Sequence, residues 1–235
     1  MKHHTSLTLI ATLGLAAAAS AEITGAYVVS YTVMTEDFGG TAVSVNVQDL
    51  YLSSNNADDV ALNVYNLNLV AAAQVSYFQS ATGFGWTPNN LGSIFDNPAI
   101  RLADSFVTVG GFAQDTLLPE QAPGAGSGTG LDPNFGGNSA MMPGTDAGWF
   151  NSSPPNLNGQ VGQVADGSGG FGTGVLIGRF AYDGDFDLTD STLEVTWNQG
   201  LGTGGQQGSF IVNIPAPGAM ALFGLAGFAA RRRRG

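Results

Sequence analysis

The sequence predicts an all-β protein: one domain of β-sandwich or jelly-roll type that carries a long glycine- and proline-rich insertion. Three observations predict it. Val43, Val45 and Val47 alternate with Ser44 and Asn46 at period two. Further short apolar runs recur between turn-rich connections, to a total of about eight strands. No segment between the two chain ends sustains a helical period.

Taken in order, Tyr27 to Val33 is rich in tyrosine, valine and threonine and reads as the first strand. After Val47 the apolar phase shifts to Leu50 and Leu52, which predicts a bulge near Gln48-Asp49. Val60, Leu62 and Val64 followed by Leu67 and Leu69 show the same slip, and Leu69 to Ala73 could add one helical turn. Gln74 to Gln79, Asp104 to Val109, Val175 to Tyr182, Leu193 to Trp197 and Ser209 to Ile214 complete the set. Between Gly110 and Gly174 the alternation breaks down among six prolines and many glycines. A structureless loop of that length is unusual inside a compact domain. Leu131, Phe135, Trp149 and Phe150 within it predict an ordered excursion packed on the sheet. The rival division into two domains fails because Val175 to Ile214 is too short to make a core alone.

The 235 residues include 35 glycines and no cysteine, so a disulfide-stapled module is excluded. All 18 acids lie between Glu22 and Glu194. Only Arg101 and Arg179 oppose them there, which leaves −16 for residues 22–214. That region also lacks lysine and histidine. Ser-His-Asp and Cys-His catalysis, Schiff-base lysines and His-ligated zinc are therefore ruled out within it. A carboxylate pair remains the one hydrolytic device open to it, and 18 acids make some close pair unavoidable without any catalytic meaning. A surface this acidic repels phosphates, so nucleic acid is excluded as a partner. The expectation is a protein that is not an enzyme.

The two ends read as address labels. Lys2, His3 and His4 precede the apolar stretch Leu7 to Ala18 and the small residues Ala19-Ser20-Ala21. That order is a secretory signal peptide spanning residues 1–21, which predicts cleavage by signal peptidase after Ala21. Its apolar run is short of the roughly 20 residues a spanning helix needs. At the other end, Pro215-Ala216-Pro217 leads into the apolar stretch Gly218 to Ala230 and then Arg231, Arg232, Arg233 and Arg234. Four arginines behind a short apolar helix stay on the cytoplasmic side.

This tail, Ile214 to Arg234, resembles the PEP-CTERM sorting signal, with Ala216 where the family's name has glutamate. The resemblance implies an exosortase-type membrane enzyme as partner, and export through the inner membrane of a Gram-negative-type bacterium. The short transmembrane helix would hold the chain in the membrane, transiently or lastingly, before or at the cell surface. It implies nothing about the domain upstream. A simple tail anchor is the other reading.

Two further sets of residues are candidates for binding. From Asp183 to Glu194, oxygen-bearing side chains fall at the ligand spacing of an EF-hand loop. Leu188 stands where that loop needs glycine, Asp190 where it has an apolar residue, and no helices flank it. Asp183, Asp185, Asp187 and Glu194 read either as a calcium site in a strand connection or as a solvated acidic turn. Trp197 alternates with Leu193 and Val195 and reads as core, whereas Trp86 and Trp149, on expected loops, are the candidate sugar-stacking residues. The sequence therefore points to an exported surface or extracellular-matrix protein. The alternative is a carbohydrate-binding module, calcium-dependent, that holds an extracellular polysaccharide.

Overall fold

The computed structural model describes residues 22–36, 40–70, 85–87, 103–109, 128–138, 140, 142–152, 158–182 and 186–214. Both chain ends, the expected strand Gln74 to Gln79 and most of the expected turn Leu69 to Ala73 lie outside these residues. Among the described residues no helix is long and apolar enough to cross a membrane.

The chain is all-β. Its strands are β1 (Ile23–Glu36), β2 (Ala42–Ser54), β3 (Val60–Asn68), β4 (Phe106–Val107), β5 (Thr129–Leu131), β6 (Ala147–Asn151), β7 (Gly162–Ala165), β8 (Phe171–Tyr182), β9 (Thr192–Asn198) and β10 (Gln206–Asn213). They form one sheet in the order β4-β8-β2-β1-β10-β9-β3-β6-β5, with β7 also paired to β8. Every pairing is antiparallel except β1 with β10, which meet in parallel at Ala26↔Val212 and Tyr27↔Asn213. On either side of that join the sheet folds back as two arms, β1-β2-β8 and β10-β9-β3-β6. The bridge Val60↔Gln160 and the bond from Ala61 N–H to Gly159 O (2.8 Å) nearly close the ring on the far side. Gly159 has φ +79° and its Cα faces the Ala61 carbonyl so closely that any side chain would collide with it.

One core lies between the arms. Val28, Leu50, Leu52, Val175, Ile177 and Phe180 come from the first arm, and Ala61, Val64, Leu67, Val195 and Trp197 from the second. The first arm is also apolar on its other face. There Val33, Val45, Val47 and Ala181 are buried with Ala103, and Tyr51, Leu176 and Val164 with Phe106. This double burial corrects the expected bulge at Gln48-Asp49. The β1–β2 register runs unbroken from Gly25↔Ser53 to Glu36↔Ala42, and the phase change marks a strand whose two ends bury opposite faces. The register shift on β2 falls later, between Leu50 and Tyr51, against β8. In β3 the expected slip is real: pairing shifts between Tyr65 and Asn68, where Asn66 takes φ +50°.

The glycine-rich stretch 110–174 buries Phe135 and Trp149 in the core. Its described residues supply the strands β5, β6 and β7, the start of β8 and a 3-10 turn at Pro133–Phe135, so it extends the sheet. The turn is capped by Asp132, whose side chain accepts from Phe135 N–H at 3.0 Å.

Arg179 is the one lysine or arginine among the described residues, and it is fully buried on the first arm's outer face. Its Nε donates to Asp49 Oδ1 at 2.6 Å and its Nη2 to Oδ2 at 3.1 Å, a two-pronged pair across β2 and β8. The guanidinium carbon lies 5.3 Å from the Phe106 ring centre and 6.0 Å from that of Tyr31, whose hydroxyl donates to Asp49. Removing one member strands the other charge in an apolar layer, whereas removing both does not. Arg179→Met should therefore cost about 3–5 kcal/mol in denaturant unfolding. The double variant Arg179→Met/Asp49→Leu should recover most of that loss; equal losses in both would show that the pair does not act as a unit.

Candidate functional site

Among the described residues, the outer face of the second arm carries an exposed polar surface of organised geometry. Because side chains alternate along a strand, burying Leu193, Val195 and Trp197 turns Thr192, Glu194, Thr196 and Asn198 outward. On β10, Gln207 and Ser209 likewise face out. The antiparallel registers set Glu194 beside Tyr65 on β3 and Ser209 on β10. An open depression of about 360 Å³ sits here, lined by Asn66, Asn68, Asp146, Thr192, Glu194 and Ser209 among others.

Its rim is held by local hydrogen bonds. Asn68 Nδ2 donates to Asp146 Oδ1 at 3.0 Å, and both Asn66 and Asp146 adopt left-handed backbone, φ +50° and +57°. Tyr65 is half-buried, and burial, its hydrogen bond to Glu194 and that carboxylate's charge all push its hydroxyl above the ordinary range. Asn63 Oδ1 accepts from both the backbone and the hydroxyl of Thr196, which pins β3 to β9 at the register shift. The surface so built presents amides, hydroxyls and two carboxylates, the groups that hydrogen-bond polyols or hold hard cations through oxygen.

The residues singled out in the sequence are placed as follows. Trp86 and Trp149 are corrected: neither lies on the surface. Trp149 is in β6, 1% exposed, with Nε1 donating to Thr108 O at 2.9 Å. Trp86 is fully buried, with Nε1 donating to Ala140 O at 2.7 Å. Their rings stack edge-on around Phe135, 5.5 and 6.3 Å between centres, and Trp86 also meets Phe180 at 5.8 Å. The space at Gly85, beside Trp86, is filled by the Asn138 side chain, and that at Gly148, beside Trp149, by Asp132 and the Val64 carbonyl, and sequence alone reads such glycines as loop. Trp197 is core, as expected.

Asp183 and Asp185 lie outside the described residues. Asp187 closes a turn: its Oδ1 accepts from Thr189 N–H (2.9 Å), Thr189 Oγ1 (2.6 Å) and Gln48 Nε2 (3.3 Å). Burial would raise its carboxyl, yet these hydrogen bonds outweigh burial and hold it below the usual range. Glu194 sits in β9 beside the depression. No group of three or more acidic, histidine or cysteine side chains placed to hold a metal occurs among the described residues. The sorting residues Pro215, Ala216, Pro217 and Arg231 to Arg234 lie outside the described residues.

A second open groove, about 620 Å³, runs past the parallel join and is lined by Tyr27, Ser53, Asp166, Thr173, Asn213 and Ile214 among others. Tyr27 stacks on Tyr51 (5.4 Å, 19°) and donates its hydroxyl to Ala165 O at 2.7 Å. Burial, then the nearby Asp166 charge, push that hydroxyl up. Asp166 is held below its ordinary range by hydrogen bonds from the Ser168 backbone and hydroxyl, and from Gly170 N–H, in a tight turn.

Sequence reasoning did not single out Asp59, which follows the β2–β3 turn. It is fully buried; Oδ2 accepts from Ser54 Oγ at 2.6 Å and Oδ1 has no partner. Burial raises its carboxyl, the Ser54 bond opposes this, and the charges of Asp58 and Glu22 add to it. A carboxyl raised on folding contributes stability at low pH and loses it as pH rises through the folded-state value. The wild type should therefore lose stability relative to Asp59→Asn between pH 4 and pH 7. Denaturant midpoints across that range test it, and parallel pH curves for the two proteins would refute it.

No protein-family model, no curated protein and no solved structure matches this chain.

Proposed function

We propose that the chain is an exported, non-enzymatic protein of the cell surface or extracellular matrix, in which a sandwich-like β domain is carried between a signal peptide and a PEP-CTERM-like tail. One observation supports it above the others: β1, which follows the leader-like segment, and β10, which precedes the tail, are neighbours in the sheet. The leader-like segment and the tail therefore join the domain at two neighbouring strands in the middle of the sheet order. The exterior fits the same setting. With Arg179 buried and paired, no described lysine or arginine reaches the surface, and the domain stays soluble among acidic polysaccharides by like-charge repulsion.

The tail would pass its chain to an exosortase-type enzyme, and signal peptidase would act after Ala21. Mass spectrometry of the protein recovered from outside the cell should find Glu22 first and Arg231 to Arg234 missing. Recovery with all four arginines in place would replace sorting by a lasting anchor.

A second reading keeps glycan binding but moves it to the outer face of β3, β9 and β10, because the depression there is polar, open and rimmed by fixed amides and carboxylates. Calcium dependence through Asp183, Asp185, Asp187 and Glu194 stays part of this reading. A polysaccharide-retention assay with and without calcium, on wild type and Asn68→Ala/Glu194→Gln, tests it. Retention lost in the variant with unchanged unfolding supports the reading, and no retention of acidic or neutral polysaccharide by the wild type removes it.

A further inference from the structure

We infer that removing the leader installs a counter-charge for which the fold already has a place: the α-ammonium of Glu22, seated on Asn55, balances the acidic corner at the β2–β3 turn. The inference rests on cleavage after Ala21 and deepens the export reading, because it makes processing a step in building the domain.

The seat is geometric. Glu22 N–H donates to Asn55 Oδ1 at 2.8 Å, and Asn55 N–H donates back to Glu22 O at 3.2 Å. One residue further on, Ile23 pairs with Ser54 and begins β1. Residue 22 is thus held against the turn through both its N–H and its C=O. The turn is tied in its own right: Ser54 Oγ donates to Asp59 Oδ2 at 2.6 Å, and Asp58 N–H donates to Asn56 Oδ1 at 3.1 Å.

Charge gives the seat its meaning. The charges of Glu22 and Asp58 both push the Asp59 carboxyl up, so three carboxyls share this corner. Asp59 is fully buried, and its Oδ1 has no partner. Among the described residues the one lysine or arginine is Arg179, which is buried elsewhere and matched by Asp49. No described side chain brings a positive charge to the turn.

Hydrolysis of the Ala21–Glu22 peptide bond supplies one. The oxygen of water joins the Ala21 carbonyl, which leaves on the leader as a carboxylate, and the nitrogen stays on Glu22 as –NH₃⁺. The nitrogen that donated to Asn55 as a neutral amide then donates as a cation, and a charge-assisted hydrogen bond is roughly twice as strong as a neutral one.

Lys2 is the only lysine in the chain and lies in the leader, so the α-amine of Glu22 is the one primary amine left after cleavage. Amine-directed labelling of the protein recovered from outside the cell therefore tests the inference at a single atom. Acetylation turns the ammonium back into an amide that can still donate to Asn55 but carries no charge. Reductive dimethylation keeps the charge. Acetylation should lower Tm by about 1–3 °C at low salt, the size expected of an exposed ion pair in a chain of this length. Dimethylation should leave Tm unchanged. In about 1 M salt, where the Debye length is about 3 Å, the acetylation shift should vanish. In Asp58→Asn it should shrink at least about twofold, as coupled groups require. Equal Tm for acetylated and unmodified protein, an equal fall on dimethylation, a shift that survives high salt, or an undiminished shift in Asp58→Asn overturns the inference. Mass spectrometry of the unlabelled protein separates the two readings. A first residue other than Glu22 overturns cleavage after Ala21 and this inference together; Glu22 first, with no effect of acetylation, leaves cleavage standing and overturns the inference alone.

Discussion

The fold depends on a short parallel contact between the first strand and the last. Ala26 and Tyr27 meet Val212 and Asn213, and through those two rungs the arm β1-β2-β8 becomes continuous with β10-β9-β3-β6. Without the join each arm exposes an apolar inner face, and the shared core of Val28, Leu50, Val64 and Val195 has nothing to close upon. The bridge at Val60 and the tight approach of Gly159 to Ala61 then follow as the far-side closure.

Charge is arranged around that frame with little redundancy. An arginine among apolar strands is tolerated because Asp49 meets it with both carboxylate oxygens and two aromatic rings flank it. Asp59 shows the opposite case, a carboxyl half-satisfied by Ser54 and left otherwise unpaired in the interior. The two together explain why so acidic a chain folds. Among the described residues most carboxylates stay in contact with water, Asp49 is matched by Arg179, and Asp59 is drawn toward its neutral form.

The sequence made β1, β2, β3, β8, β9 and β10 legible because their alternation is carried by large side chains that a reader can count. It hid β5 and β6 because glycine occupies a position in each that a neighbour fills. The Phe150 ring lies over Gly130, and Asp132 and the Val64 carbonyl crowd Gly148. Such strands alternate in space without alternating in letters. The same effect misplaced Trp86 and Trp149, whose glycine-rich surroundings read as loop although they pack the centre of the molecule. On β2 the letters were correct and the inference was not: the change of phase at Leu50 records burial on both sides of the first arm. The polar face around Asn68 and Glu194 could be anticipated from the outward phase of β9, but its partner Asp146 comes from a turn far along the chain that no local pattern connects to it.

The neighbouring of β1 and β10 also sets an order of events. A chain made N-terminus first can build β1, β2 and β3 early, yet the ring stays open until β10, the last strand, is available. Rungs between residues so far apart add a large entropic barrier, and folding waits on them.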